Sequence, residues 1–219
     1  QRLLDEVKQA LDSRGFIISL EGVGGVGKSA LAIEVVHQLY KAKTYSFIIS
    51  LSAKNKIWIK HSESKQANFS GFTEMMLEIA KVLDIENPSN DINELRNQVV
   101  SFMKNENGLL FIDNLEEIED TEVFEFLRNG IPEPVKLIVT SRIDRNLPAR
   151  KIQVHGMTED EALTLLQQEL ERMGFTNYIN EINSAKEIVK AAGYLPLAIK
   201  WAASLASTAK SLVEVSSKL

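Results

Sequence analysis

Short apolar runs alternate with segments of helical periodicity over roughly the first two thirds of the chain. The runs are brief and mostly rich in β-branched or aromatic residues, which is typical of buried strands. They cover residues 16–20, 45–51, 109–112, 136–140 and 152–154. Apolar positions at helical spacing occupy residues 3–11, 29–40, 72–83, 92–103 and 123–127. Because strands and helices alternate, we predict an α/β fold with a parallel sheet covered on both faces.

The pattern changes after residue 156, where no further strand-like run occurs. Thr158 and Glu161 have the spacing of a capping box, which predicts a helix from there to about Met173. Two more helices are predicted near residues 181–192 and 197–208. We therefore expect an α/β domain over residues 1–156 and a small all-helical subdomain over residues 157–219.

Composition narrows the functional classes. Of the 219 residues, 44% are hydrophobic, which suits a globular chain with a sizeable core. The net charge is −5, so we expect no direct binding to nucleic acid by charge alone. No cysteine is present, which excludes disulfides and thiolate chemistry, and no apolar run approaches the ~20 residues of a membrane span. The chain starts without Met, and we expect it to be a cytoplasmic fragment of a longer protein.

A glycine-rich loop follows the first predicted strand and precedes a predicted helix. It reads Gly22-Val23-Gly24-Gly25-Val26-Gly27-Lys28-Ser29, which matches the pattern G-x-x-x-x-G-K-[ST] of a phosphate-binding loop. Glycines let backbone N–H groups surround a phosphate, and the helix N-terminus adds its dipole. In this pattern Lys28 contacts the β- and γ-phosphates and Ser29 coordinates Mg²⁺. The predicted nucleotide contacts in this segment are Gly22, Gly24, Gly25, Val26, Gly27, Lys28, Ser29 and Ala30.

An acidic residue ends the third predicted strand. Asp113 stands where ligands collect in open α/β sheets, so we predict that it supports the metal together with Ser29. The next residue, Asn114, cannot accept a proton from an attacking water. Glu116 is then the candidate catalytic base, with Glu117 beside it, although both could equally be solvated surface carboxylates.

Two further positions have weaker signals. Arg142 follows the fourth predicted strand and could sense a γ-phosphate, or it could be one arginine of a basic stretch that includes Arg145 and Arg150. Pro196 precedes a predicted helix, where proline is ordinary.

Four motifs in order resemble one family. GVGGVGKS at 22–29, LLFIDN at 109–114, KLIVTSR at 136–142 and GYLPLA at 193–198 together resemble the NB-ARC domain of the signal-transduction ATPases. That group includes plant disease-resistance proteins and apoptotic protease-activating factors. The resemblance extends over nearly the whole chain.

The resemblance implies a P-loop NTPase fold with a five-stranded parallel sheet and a helical subdomain. It implies that Arg142 senses the γ-phosphate and that Pro196 packs near the adenine and sugar. Family members usually hold ADP when inactive, and exchange for ATP allows oligomerisation. Two departures are that Asn114 stands where a second acid is common and Tyr194 stands where a glycine is common. We therefore expect an ADP/ATP switch with slow or absent hydrolysis.

Other functions remain open from the residues alone. A P-loop ATPase or phosphotransferase with steady turnover is the main alternative, although no acceptor motif is found. Trp58 lies among Lys54, Lys56, Lys60 and Lys65, a composition that can bind single-stranded nucleic acid but more often forms a surface loop. The histidines at 37, 61 and 155 lack metal-ligand spacing.

Overall fold

A computed structural model describes most of the chain and divides it into two compact units. The described residues are 2–13, 16–53, 67–104, 106–174, 181–206, 212 and 215. The first unit contains residues 1–22 and 28–153, and the second contains residues 23–27 and 154–219. The tip of the glycine loop thus groups with the helical residues of the second unit.

The first unit is built on a parallel sheet. Its strands are β1 Ile17–Glu21, β2 Phe47–Ser52, β3 Ala67–Asn68, β4 Gly108–Asp113, β5 Lys136–Ser141 and β6 Arg150–Gln153. They are ordered β3-β2-β4-β5-β1-β6, and every neighbouring pair is parallel. The five strands predicted from the sequence are confirmed. The two-residue β3 is added at the edge, next to β2, where no apolar run predicted it.

Helices cover both faces of this sheet. They are α1 Arg2–Asp12, α2 Lys28–Lys41, α3 Phe72–Val82, α4 Ile92–Met103 and α5 Thr121–Asn129. One apolar core joins α3, α4 and α5 to side chains such as Leu110 and Leu137. Because successive side chains of a strand alternate between faces, the residues before and after Leu110 and Leu137 point to the opposite face of the sheet. Helix α2 contacts β1, β4 and β5. Strands buried on both faces explain why β1, β4 and β5 read as continuous apolar runs.

The second unit is helical. It contains α6 Glu159–Arg172, α7 Ile182–Ala191 and α8 Pro196–Ala206. The predicted capping box is formed, because the Thr158 hydroxyl accepts from the Glu161 N–H and the Glu161 carboxylate accepts from the Thr158 N–H. Apolar side chains of the three helices form a core of their own, with Leu166 and Ile188 fully buried. Proline occupies the first position of α8, where its missing N–H costs nothing.

Candidate functional site

The glycine loop connects β1 to α2 in the arrangement that its motif requires. β1 ends at Glu21 and α2 begins at Lys28, so the loop lies at the carboxyl end of a buried strand and at a helix N-terminus. Gly25 has φ of +79° and Gly27 has φ of +105°, conformations that side chains disfavour. A turn bond from the Val26 N–H to the Val23 carbonyl, at 3.4 Å, closes the tip of the loop.

Lys28 is the buried cation of this loop. Only 8% of the residue is exposed, and its Nζ donates to the carbonyl oxygen of Gly22 at 2.8 Å. Burial lowers the pKa of Lys28, against an opposing effect from the nearby Glu116 carboxylate; Arg142 adds to the lowering, and Asp113 opposes it. A buried ammonium with a lowered pKa favours an anionic ligand, because a phosphate would offset the cost of desolvation.

Asp113 lies directly against the start of α2. The Ser29 hydroxyl donates to Asp113 Oδ1 at 2.6 Å, although the two residues are 84 positions apart in the chain. Asp113 is 4% exposed at the end of β4. A hydroxyl and a carboxylate in contact are hard oxygen donors, and Mg²⁺ is commonly bound by one or two such side chains while keeping waters and phosphate oxygens. The pair predicted to hold the metal therefore fits that ion.

Thr140, which the sequence did not single out, and Asn114 complete the surroundings of Asp113. Thr140, at the end of β5 and 1% exposed, donates its hydroxyl to Asp113 Oδ1 and accepts from the Asn114 N–H at 3.0 Å. The Asn114 amide donates to Asp113 Oδ2 at 2.9 Å. Asn114 adopts a left-handed conformation, with φ of +59°, which asparagine tolerates better than most residues. Thr140 was hidden in the sequence because a strand-ending threonine is ordinary.

Glu116 and Arg142 form an ion pair with each other. Arg142 Nε lies 2.9 Å from Glu116 Oε1, and the Arg142 N–H donates to Glu116 Oε2 at 3.2 Å. The Glu116 side chain is 10% exposed, whereas that of Arg142 is 51% exposed. Glu117, the other carboxylate considered, is exposed. The structure thus brings the candidate base and the candidate sensor into direct contact.

Arg145 holds the turn that carries Glu116. Its guanidinium donates to the carbonyl oxygens of Glu116 and Ile118, the latter at 2.9 Å, and lies 5.3 Å from the ring centre of Phe124. The sequence placed Arg145 in a basic surface stretch. In the fold it supports the short 3₁₀ helix Leu115–Glu117.

In the second unit, the start of α8 meets the tip of the glycine loop. The Leu197 N–H donates to the Gly25 carbonyl at 3.3 Å. A Cβ added to Gly25 would lie 3.1 Å from Leu197 Cβ, and one added to Gly27 would lie 3.8 Å from Pro196 Cγ. Tyr194 has φ of +58°, which gives a physical reason for the glycine that is common at this position.

The remaining candidates from the sequence are the three histidines and the segment around Trp58. His37 and His155 are exposed, while Trp58, His61 and the surrounding lysines lie outside the described residues. Within the described part of the chain, no three His, Cys, Asp or Glu side chains group as metal ligands. Searched over the same residues, the helices include none that is long and apolar enough to cross a bilayer.

Comparisons with known proteins concern the family and the fold of the chain. The family model of the NB-ARC domain matches residues 1–174. No curated protein matches the chain. Among solved structures, Cdc6p from Pyrobaculum aerophilum is 17% identical with a TM-score of 0.61, over 88% of this chain and 60% of that one. A Walker-type ATPase of Pyrococcus abyssi is 12% identical with a TM-score of 0.68, over 100% and 70% of the two chains.

A third similar structure is Drosophila ORC bound to DNA, at 12% identity and a TM-score of 0.61, over 100% of this chain and 62% of that one. At these identities the likeness concerns the fold, and the chain spans about 60% to 70% of the length of these structures. The family match covers more than half of the chain, and it includes the glycine loop, Asp113 and Arg142. The chain belongs to the NB-ARC domain family and is a nucleotide-binding domain of the P-loop ATPase type.

Proposed function

We propose that this domain is a regulatory switch that binds ADP or ATP with Mg²⁺ and hydrolyses ATP slowly or not at all. The observation that carries the proposal is the contact between Ser29 and Asp113 at 2.6 Å, at the N-terminus of the helix that Lys28 begins. Ser29 and Asp113 are a pair of ligands for a cation, and Lys28 is a buried ammonium at a helix N-terminus. A nucleotide phosphate chain is bound by groups of these kinds.

Each residue has a defined part in this proposal. Lys28 exchanges its bond to the Gly22 carbonyl for bonds to phosphate oxygens, and the loop amides bind the same phosphate. Ser29 and Asp113 would hold Mg²⁺, which when bound would supply neutralisation of the phosphate charge. In the second unit, Pro196 is proposed to pack against the adenine and sugar, as the family resemblance implies.

Slow hydrolysis is supported by the state of Glu116. Its carboxylate contacts both the Arg142 side chain and the Arg142 backbone N–H, so each of its oxygens is already engaged by one donor. Asn114, the residue directly after Asp113, has an amide that cannot act as a base. Arg142 is half exposed, and the other N–H groups of its guanidinium can bind a γ-phosphate while Nε stays on Glu116.

Nucleotide titration tests the central claim. Purified wild-type protein, stripped of ligand, is expected to bind ADP and ATP in isothermal titration calorimetry, and mass spectrometry is expected to find adenine nucleotide in the unstripped protein. Lys28→Ala should abolish both signals. The matched control is Lys81→Ala, since Lys81 is an exposed lysine on α3 that pairs only with Glu78 among its charged neighbours in the described chain. Retention of ADP by Lys28→Ala at the wild-type level would overturn the proposal.

The alternative is an ATPase with steady turnover, which is favoured by the position of Glu116 three residues after Asp113. Phosphate release by the wild type and by Glu116→Gln distinguishes the two. The switch predicts less than about one turnover per minute for both proteins. Sustained release of many phosphates per minute, abolished by Glu116→Gln, would establish the alternative and reject the switch.

The conformational output is proposed from the resemblance. Exchange of ADP for ATP is expected to change the conformation and to permit oligomerisation in a longer chain. Size-exclusion chromatography with light scattering, in ADP and in a non-hydrolysable ATP analogue, measures this. Arg142→Ala should remove any difference between the two nucleotides, because the residue that senses the γ-phosphate is lost, while ADP binding stays within a few fold of the wild type.

A further inference from the structure

Thr140 contacts the carboxylate of Asp113 from a strand that has no part in the phosphate-binding motif. Its hydroxyl donates to Asp113 Oδ1, the same oxygen that accepts from Ser29. The Thr140 oxygen also accepts the backbone N–H of Asn114 at 3.0 Å. Thr140 is 1% exposed, so its hydroxyl depends on hydrogen-bond partners within the protein.

The position of Thr140 follows from the strand order. β5 lies between β4 and β1 in the sheet, so the end of β5 lies between Asp113 and the strand that leads into the glycine loop. Leu20 in β1 is paired with Thr140, and Ile112 in β4 is paired with Val139. Thr140 is thus one residue beyond the pair of Val139 and Ile112, next to the position of Asp113.

Three donors therefore determine the orientation of the Asp113 carboxylate. Ser29 and Thr140 donate to Oδ1, and the Asn114 amide donates to Oδ2. Thr140 influences the last of these as well, because its oxygen is the acceptor for the N–H of Asn114 at the point where the backbone turns left-handed. Loss of one hydroxyl would remove a carboxylate donor and leave a backbone N–H without this acceptor.

We propose that Thr140 is a positioning residue for Mg²⁺: it fixes the rotamer of Asp113 so that the carboxylate is preorganised for the cation. The inference rests on the proposed binding of Mg²⁺–nucleotide. Residues that orient a metal ligand contribute to metal affinity although they never contact the ion, and their loss commonly reduces that affinity by about 10–100-fold.

The test compares ADP binding with Mg²⁺ and with EDTA, so that the metal contribution appears as the ratio of the two dissociation constants. Thr140→Val keeps the branched shape and removes the hydroxyl. We expect it to reduce the ratio by about tenfold while ADP affinity in EDTA stays within twofold of the wild type. Thr140→Ser keeps the hydroxyl and should restore the ratio to within about threefold of the wild type.

Ser141→Ala is the matched control. Ser141 is the next residue of β5 and is equally buried, but its hydroxyl donates to the Ile143 carbonyl and not to Asp113. We expect an unchanged ratio in this variant, because its lost hydroxyl does not contact Asp113. Any shift of the neighbouring Arg142 should not affect the ratio either, because ADP has no γ-phosphate for Arg142 to contact. Should Thr140→Val fail to fold, Thr140→Ala replaces it, with the same expected loss and the same rescue by serine.

The possible outcomes distinguish the positioning role of Thr140 from the proposed function. A normal ratio in folded Thr140→Val or Thr140→Ala would overturn the positioning role. Equal weakening in Mg²⁺ and in EDTA would also overturn it, since that result indicates a general structural effect. Absence of ADP binding, or of any Mg²⁺ effect, in the wild type would instead reject the proposed function on which the inference rests.

Discussion

The strand-end cluster around Asp113 and the contact between α8 and the loop tip are built from different kinds of interaction. In the cluster, side-chain oxygens and an amide converge on one carboxylate, from α2, from β5 and from the residue after β4. At the loop tip, a backbone N–H of Leu197 meets a backbone carbonyl of Gly25, and the side chain of Leu197 lies where a Cβ would be. The cluster thus depends on side-chain hydrogen bonds, and the contact at the loop tip depends on the small volume of Gly25.

This difference predicts which substitutions matter in each region. Replacing a hydroxyl with an apolar group of similar volume should disturb the cluster, because a buried donor or acceptor is left unsatisfied. At the loop tip, volume and backbone conformation should matter more than polarity. Each unit also has its own apolar core, so the two regions can be perturbed separately.

The largest expected effects come from matched cavities in the two cores. Leu110→Ala in β4 and Leu166→Ala in α6 each leave a buried cavity, and each is expected to lower the free energy of unfolding by about 2–5 kcal/mol. Hydrogen exchange with mass spectrometry should show faster exchange in peptides of the strands for Leu110→Ala and in peptides of α6–α8 for Leu166→Ala. Uniform acceleration of both regions by either variant would show that the two cores unfold as one.

Gly25→Ala tests whether space limits the loop tip. Its φ of +79° predicts a strain of about 1–2 kcal/mol for alanine, and Leu197 adds crowding at 3.1 Å. Gly174→Ala is the control, because Gly174 has a similar φ of +82° and no atom within 4 Å of its added Cβ. Thermal melts should show a larger loss for Gly25→Ala. Equal losses would mean that Leu197 makes room without cost.

Thr158→Ala should weaken the second unit by about 1 kcal/mol. The Thr158 hydroxyl accepts from the Glu161 N–H at the start of α6, and loss of such a cap leaves a helix donor without its partner. Urea unfolding followed by circular dichroism measures the change. Thr158→Ser, which keeps the hydroxyl, should restore most of the stability.

The smallest expected effect is a pH dependence at the same cap. Bonds from the Thr158 backbone N–H and hydroxyl lower the pKa of Glu161. The folded state therefore binds this proton less tightly than the unfolded state, so the contribution to stability is present above about pH 4.5 and is lost as the pH falls through the lowered pKa. Glu161→Gln should flatten this part of the urea midpoint profile between pH 3 and 6. An identical slope in both proteins would contradict the assignment.

Local patterns in the sequence determined much of the molecule. The parallel strands were predictable because burial on both faces requires continuous apolar runs, and the capping box and the glycine loop are defined by spacing within a few residues. Asp113 was predictable as a site residue because it ends one of those strands. The order of four motifs indicated the family to which the chain belongs.

Tertiary structure alone decided which side chains meet. Ser29 in α2 and Asp113 at the end of β4 are 84 positions apart, and Thr140 reaches Asp113 because β5 lies next to β4 in the sheet. The pairing of Glu116 with Arg142, and the grouping of the loop tip with the helical unit, likewise depend on contacts between distant segments. Local periodicity specifies which residues form a strand and which face they bury. It does not specify the strand order, and the strand order is what places Thr140 against Asp113.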